Sequence, residues 1–288
     1  MRAGHNPPVL VLAVKALLAP TFVVGASLAA RRFGPWIGGV VGGLPVVAGP
    51  ILLAYALVHG RSFAAHAATG TLLGLLSLTA FVVVYGRLAS RFPWFVCMLS
   101  GWLAFALVTV ILDGVAVAAE VALALACVGF AVGLLLLPDQ QGPAGGGGAA
   151  TAPTWDLPVR AGCALGLVLV LTTAAGWLGP QLSGLLAPFP VITTVLATFT
   201  HSQRGADEAV HLLRGMLSGF VAFALFCFVL SVSLDGATVV AAFALATFAA
   251  LAVQALMLVR GRRRSIRLVL PIATSVEGAS EESGGRAA

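Results

Sequence analysis

Uncharged apolar runs follow one another along almost the whole chain. They cover about 8–30, 36–58, 64–85, 93–112, 115–137, 157–178, 181–200, 211–233 and 237–259. Each is near the roughly 20 residues that a helix needs to cross the apolar core of a bilayer. None shows the apolar–polar alternation of a membrane barrel strand. The pattern predicts an all-α integral membrane protein with about nine transmembrane helices. The first run, with Arg2 before it and small residues before Arg31, mimics a signal peptide. Lys15 interrupts it and the run has a counterpart later in the chain, so it reads as a helix.

Composition strengthens this reading. Of 288 residues, 60% are apolar and 9% charged, and the mean hydropathy is +1.05. A soluble domain carries roughly 25% charged residues, so this chain cannot clothe a water-facing surface. The net charge of +6 would suggest nucleic acid in a soluble protein. Here it follows from arginines gathered at helix ends, and no basic–aromatic nucleic-acid module is present. With nine spans, one side carries Arg2 and Arg61. The other carries Arg31, Arg32, Arg87, Arg91, Arg160, Arg204, Arg214 and a C-terminal group from Arg260 to Arg286. Excess arginine marks the cytoplasmic side. The expectation is a multi-pass plasma (inner) membrane protein with its N-terminus outside and its C-terminus inside. Cys97, Cys127, Cys163 and Cys227 each fall in an apolar run and read as packing residues. No pattern calls for a metal or a cofactor.

The chain also repeats itself. Residues 34–85 align without a gap to 179–230 at an offset of 145, with 13 identities in 52 positions. These include two prolines, a histidine and five glycines, and self-similarity at a fixed offset is the mark of duplication. The same offset carries Lys15 onto Arg160. The expected organisation is a first repeat at 1–114, a linking span with a Gly-rich cytoplasmic loop at 115–156, and a second repeat at 157–260. A basic anchor and disordered cytoplasmic tail follow at 261–288. One linking helix between two four-helix units turns the second unit upside down, giving inverted repeats as in many secondary transporters. If the second and seventh runs loop back without crossing, there are seven spans and the repeats are parallel. The arginine distribution favours nine.

Candidate chemistry concentrates in those two runs. They read GPWIGGVVGGLPVVAGP (34–50) and GPQLSGLLAPFPVITT (179–194). Gly42, Gly43, Pro45, Pro188 and Pro190 interrupt apolar stretches, and proline removes a backbone donor and breaks a helix. Broken helices at matching places in two halves point to a transport site, although a simple kink is the plainer alternative. Lys15 and Arg160 are candidate substrate-facing cations, with snorkelling as the alternative. Glu120, placed about five residues into its span, is a candidate partner for Lys15. His66 and His211 are equivalent and could relay protons or simply be satisfied at the interface. Gly70/Gly74 and Gly215/Gly219 are small-xxx-small pairs suited to close helix packing.

The second repeat resembles the GlpM-like small bacterial membrane proteins. The resemblance rests on SGLLAPFPVITTVLATFTHSQRG (183–205), followed by Leu213-Arg214-Gly215 and Gly219. The first repeat departs from it, with Leu44-Pro45 for Phe189-Pro190 and Thr69 for Arg214. The resemblance implies a cytoplasmic-membrane protein linked to polysaccharide or glycerol metabolism, here as a fused double version. It supplies no substrate.

These features predict a membrane carrier, transporter-like or flippase-like, for an anionic or polar small molecule, and not an enzyme. The alternative is a non-transporting subunit that assists glycan or lipid biosynthesis. Membrane lipid is an expected partner; the oligomeric state is open. A carrier should hold a cavity lined by residues 42–50 and 187–195, whereas an accessory subunit should be filled there.

Overall fold

In the computed structural model the described residues are 7–46, 48–115, 117–138, 155–167 and 188–259, with backbone alone for 7–19. All regular structure among them is helical. Ten segments follow in order: α1 (Pro7–Phe33), α2 (Pro35–Gly42), α3 (Ala48–Val58), α4 (Arg61–Leu88), α5 (Trp94–Leu112) and α6 (Ala119–Leu136). Then come α7 (156–167), α8 (Val191–Arg204), α9 (Ala206–Ser233) and α10 (Val239–Val259). Five of them, α4, α5, α6, α9 and α10, are long and apolar enough to cross a membrane. The protein is therefore membrane-embedded in character. The tail, the Gly-rich loop core, residues 168–187 and the Lys15 side chain lie outside the described residues.

Breaks between helices sit where backbone chemistry demands them. Gly60 (φ 92, ψ 170) precedes α4 and Gly205 (φ 94, ψ 175) precedes α9. That backbone region is open almost only to glycine. The two residues are 145 apart, and each opens a helix of 28 residues. Gly34 (φ 95) ends α1, and Pro35 opens α2, a position where its missing N–H is harmless.

Burial sorts the helices into layers. α4 and α9 are largely buried and pack on each other. α2 and α8 lie against α9, and α8 is buried from Val191 to Thr198. α5, α6 and α10 stand outside, exposing rows such as Leu99, Leu103 and Leu107, or Leu245, Phe248 and Leu251. In water such faces would be a liability; in lipid they are the expected surface. The inner stripes of α5 and α10 repeat position by position. Cys97, Gly101, Phe105 and Thr109 are buried in α5, and Ala242, Ala246, Ala250 and Gln254 are buried in α10, each pair 145 apart.

Chain direction follows from side-chain contacts. Thr69, near the start of α4, meets Ser231, near the end of α9. Tyr85, near the end of α4, approaches His201, and His201 lies just before α9 begins. α4 and α9 thus run antiparallel. Arg87 donates to the Leu136 carbonyl, and Arg214 donates to the carbonyls of Leu137 and Pro138. The end of α6 therefore joins the end of α4 and the start of α9. Among the described residues, Arg31, Arg87, Arg160, Arg204 and Arg214 all belong to this basic end, and Arg61 lies at the other.

Candidate functional site

Both interrupted runs are broken, and by the same device. Residues 43–46 and 188–190 are not helical. Val46 N–H donates to the Leu44 carbonyl at 2.9 Å, and Val191 N–H donates to the Phe189 carbonyl at 2.7 Å. Each bond closes a three-residue turn around a proline, Pro45 in one and Pro190 in the other; Pro190 has φ −73 and ψ 49, close to an inverse γ-turn. One step on, Gly49 N–H donates to the Pro45 carbonyl at 2.9 Å and Thr194 N–H to the Pro190 carbonyl at 2.8 Å. These four bonds form two pairs at the 145-residue offset. Proline fixes φ and offers no N–H, so the chain turns tightly before a new helix can start.

The two breaks face a common cavity of about 40 Å³. Its wall contains five pairs of positions 145 apart: Gly43 and Pro188, Leu44 and Phe189, Pro45 and Pro190, Ala48 and Thr193, Leu78 and Phe223. Gly42 lines it as well, and Thr193 is the one polar side chain in the wall among the described residues. The volume accommodates water but not a metabolite. α8 and α3 both begin at this cavity, so the partial positive charge of two helix N-termini is directed towards it.

Close approach of α2 and α9 holds the first break in place. A Cβ on Gly215 would collide with the Trp36 carbonyl, and a Cβ on Gly219 would press on the Val40 carbonyl and Gly43. From the other side, a Cβ on Gly43 would sit 2.8 Å from Gly219 backbone. Gln254 of α10 donates to the Val40 carbonyl, and its own Oε1 has no partner among the described residues. Gly70, by contrast, has nothing within 4 Å of a Cβ among the described residues. Gly74 is buried in α4.

Arg160 does not approach this cavity. Its Nε donates to Asp156 Oδ2 at 2.9 Å, its Nη2 donates to Gln203 Oε1 at 3.1 Å, and its guanidinium lies 4.9 Å from the Phe199 ring centre. Gln203 is 13 residues beyond Pro190 on α8, about 20 Å at the helical rise of 1.5 Å per residue. Asp156 is fully buried and also accepts from Arg31 Nη2 and Gln203 Nε2. Burial alone would raise its carboxyl. The hydrogen bonds from Gln203, Arg160 and Arg31, with the charge on Arg160, hold it below the ordinary carboxylate range instead. The expected loop end at 156 is thus a helix start, and Asp156–Arg160 is an i,i+4 ion pair.

Other expected groups are scattered. Glu120 is the second residue of α6 and exposed: residues 113–115, 117 and 118 are non-helical and the helix begins only at Ala119. It does not lie five residues deep. His66 is exposed near the start of α4, its Nδ1 2.8 Å from the Ser62 carbonyl oxygen. His211 lies near the start of α9. Since α4 and α9 are antiparallel, the two histidines sit at opposite ends. Among the polar contacts that sequence reading missed are Asp156 with its three donors, the Tyr85 hydroxyl 3.3 Å from His201 Nδ1, and Trp102 Nε1 donating to Thr194 Oγ1 at 3.0 Å. The Asp156–Arg160 spacing carried a signal for the first; nothing in the sequence pairs the residues of the others. No protein-family model, no curated protein and no solved structure matches the chain.

Proposed function

We propose that the protein is an inverted-repeat membrane carrier for an anionic or polar small molecule. The observation that carries this reading is the cavity wall, in which both broken helices contribute matched positions on a 145-residue offset. Antiparallel α4 and α9, each 28 residues long, supply what an inverted duplication requires. A two-fold axis in the membrane plane then runs through the cavity. Rocking of one repeat against the other exposes the same wall to alternate sides. Non-helical backbone at membrane depth survives only where protein or water meets its polar groups, and the cavity is such a place. In this conformation the cavity is too small for substrate, so loading requires it to widen.

The arginine-rich end, with Arg31, Arg87, Arg160, Arg204 and Arg214, faces the cytoplasm in this reading. Nine spans, with α2–α3 and its counterpart each counted as one, place the N-terminus outside. The likeness of 183–205 to GlpM-like proteins fits a fused double version of a small membrane protein. The protein performs no covalent chemistry in this account. The 40 Å³ volume favours the second reading, a subunit without a transport path that assists a membrane biosynthetic enzyme.

Accumulation in proteoliposomes decides between them. The carrier reading predicts uptake of at least one member of a panel of anionic and polar metabolites, lost on Thr193→Trp, which fills the cavity. No uptake across the panel, from either membrane face, contradicts it.

A further inference from the structure

A second, smaller hollow lies at the basic end between α1, α7, α8 and α9. Its volume is about 10 Å³, and Ser27, Arg31, Arg160, Thr200 and Arg204 line it. Three guanidinium groups therefore meet there. Among the described residues the carboxylate that answers them is Asp156, which pairs with Arg31 and Arg160. Arg204 is exposed at the rim and forms no ion pair among the described residues.

Ser27 supplies the independent observation. It is buried at 2% exposure, and its Oγ has no hydrogen-bond partner among the described residues. A buried hydroxyl without a partner is unfavourable. In a helix it usually turns back onto the preceding turn's carbonyl; here it lines the hollow instead. Pro35, the first residue of α2, lines the hollow too, and that helix start has no side-chain cap. Its unsatisfied N–H groups add partial positive charge. One water would satisfy the hydroxyl but would leave the positive charge unanswered.

We propose that this hollow takes one oxygen of a phosphate group, carried by a small anion or a lipid headgroup: that oxygen fills the water-sized space and accepts from Ser27 Oγ, while the remaining oxygens lie at the open mouth against Arg31 and the exposed Arg204. Guanidinium forks and a hydroxyl arriving from separate helices suit a tetrahedral oxyanion with several acceptors. Asp156 keeps Arg160 and Arg31 in place without cancelling the charge. The site does not depend on the carrier reading, because a protein that moves nothing across the membrane can still hold the anion.

Calorimetric titration of the purified full-length protein with inorganic phosphate, at ionic strength matched with sodium chloride, tests the proposal. A parallel arm compares thermal unfolding in nanodiscs of phosphatidylglycerol and of phosphatidylcholine. The expected result is saturable binding of phosphate, or stabilisation by phosphatidylglycerol alone, weakened at least tenfold in both Ser27→Ala and Arg204→Gln. The first outcome assigns the site to a soluble anion and the second to a lipid. No binding in either arm, or equal binding by the wild type and both variants, overturns it.

Discussion

Thr69 Oγ1 and Ser231 Oγ lie 2.8 Å apart, tying the first turns of α4 to the last turns of α9. The two helices start 145 residues apart, and they pack head to tail. Head-to-tail packing is what the proposed inverted arrangement requires of this pair.

The two positive-φ glycines that precede α4 and α9 should be equally sensitive. Gly60→Ala and Gly205→Ala force a Cβ into a backbone region that L residues rarely adopt, with φ 92 and 94. Each should cost about 1–3 kcal/mol, seen as matched losses in thermal stability in detergent. One sensitive site and one tolerant site would show that the two helix starts are not equivalent.

Packing of α2 on α9 predicts a steric series. Gly219→Leu pushes on the Val40 carbonyl and Gly43, which are rigid backbone, so a loss of at least about 1–3 kcal/mol is expected. Gly162→Ala in α7 meets nothing within 4 Å among the described residues. It should be neutral or stabilising by up to about 1 kcal/mol, because alanine is the better helix former. Equal effects in chemical unfolding would contradict the close approach.

Asp156→Asn leaves Arg160 buried beside an uncharged partner. Breaking one side of a buried ion pair costs about 3–5 kcal/mol, and the double change Asp156→Asn with Arg160→Gln should cost less than the sum of the single changes. Additive losses would mean that the two side chains do not act as a pair.

Acid should report on the same carboxylate. The Asp156 carboxyl is held below its ordinary range in the folded protein. Its contribution to stability is then complete above the unfolded value near 3.9 and is lost as pH falls through the lower folded value. Thermal stability should be flat in this respect from pH 7 to about 5 and fall below about 4. Asp156→Asn should remove that part of the acid loss. An unchanged acid profile in the variant would assign the loss to other groups.

Much of the architecture was legible because hydrophobic runs and repeat offsets are local or one-dimensional signals. The breaks at Pro45 and Pro190 were readable because proline acts on its own backbone. Glu120 was misplaced because an apolar run does not reveal where hydrogen bonding starts: Val115, Val117 and Ala118 belong to the run but lie in non-helical backbone that follows Gly114 at φ 82. Arg160 was sent towards the cavity because its charge was visible while its partner sat in what read as a loop. Ser27 carried no signal at all, since a serine in an apolar helix normally satisfies itself. Which helices meet, and hence that Tyr85 reaches His201 or Gln254 reaches Val40, depends on tertiary packing that a single sequence does not encode in readable form.

The central claim is that one cavity, built from matched halves, opens to both sides of the membrane. Ala48 and Thr193 are equivalent wall positions, so each can carry a single reporter thiol in a background without the four native cysteines. Ala48→Cys and Thr193→Cys are introduced separately, and oriented proteoliposomes are exposed to a charged, impermeant thiol reagent from one face and then from the other. The account predicts labelling of both positions from both faces. Labelling confined to one face, or absent at both positions, would contradict it.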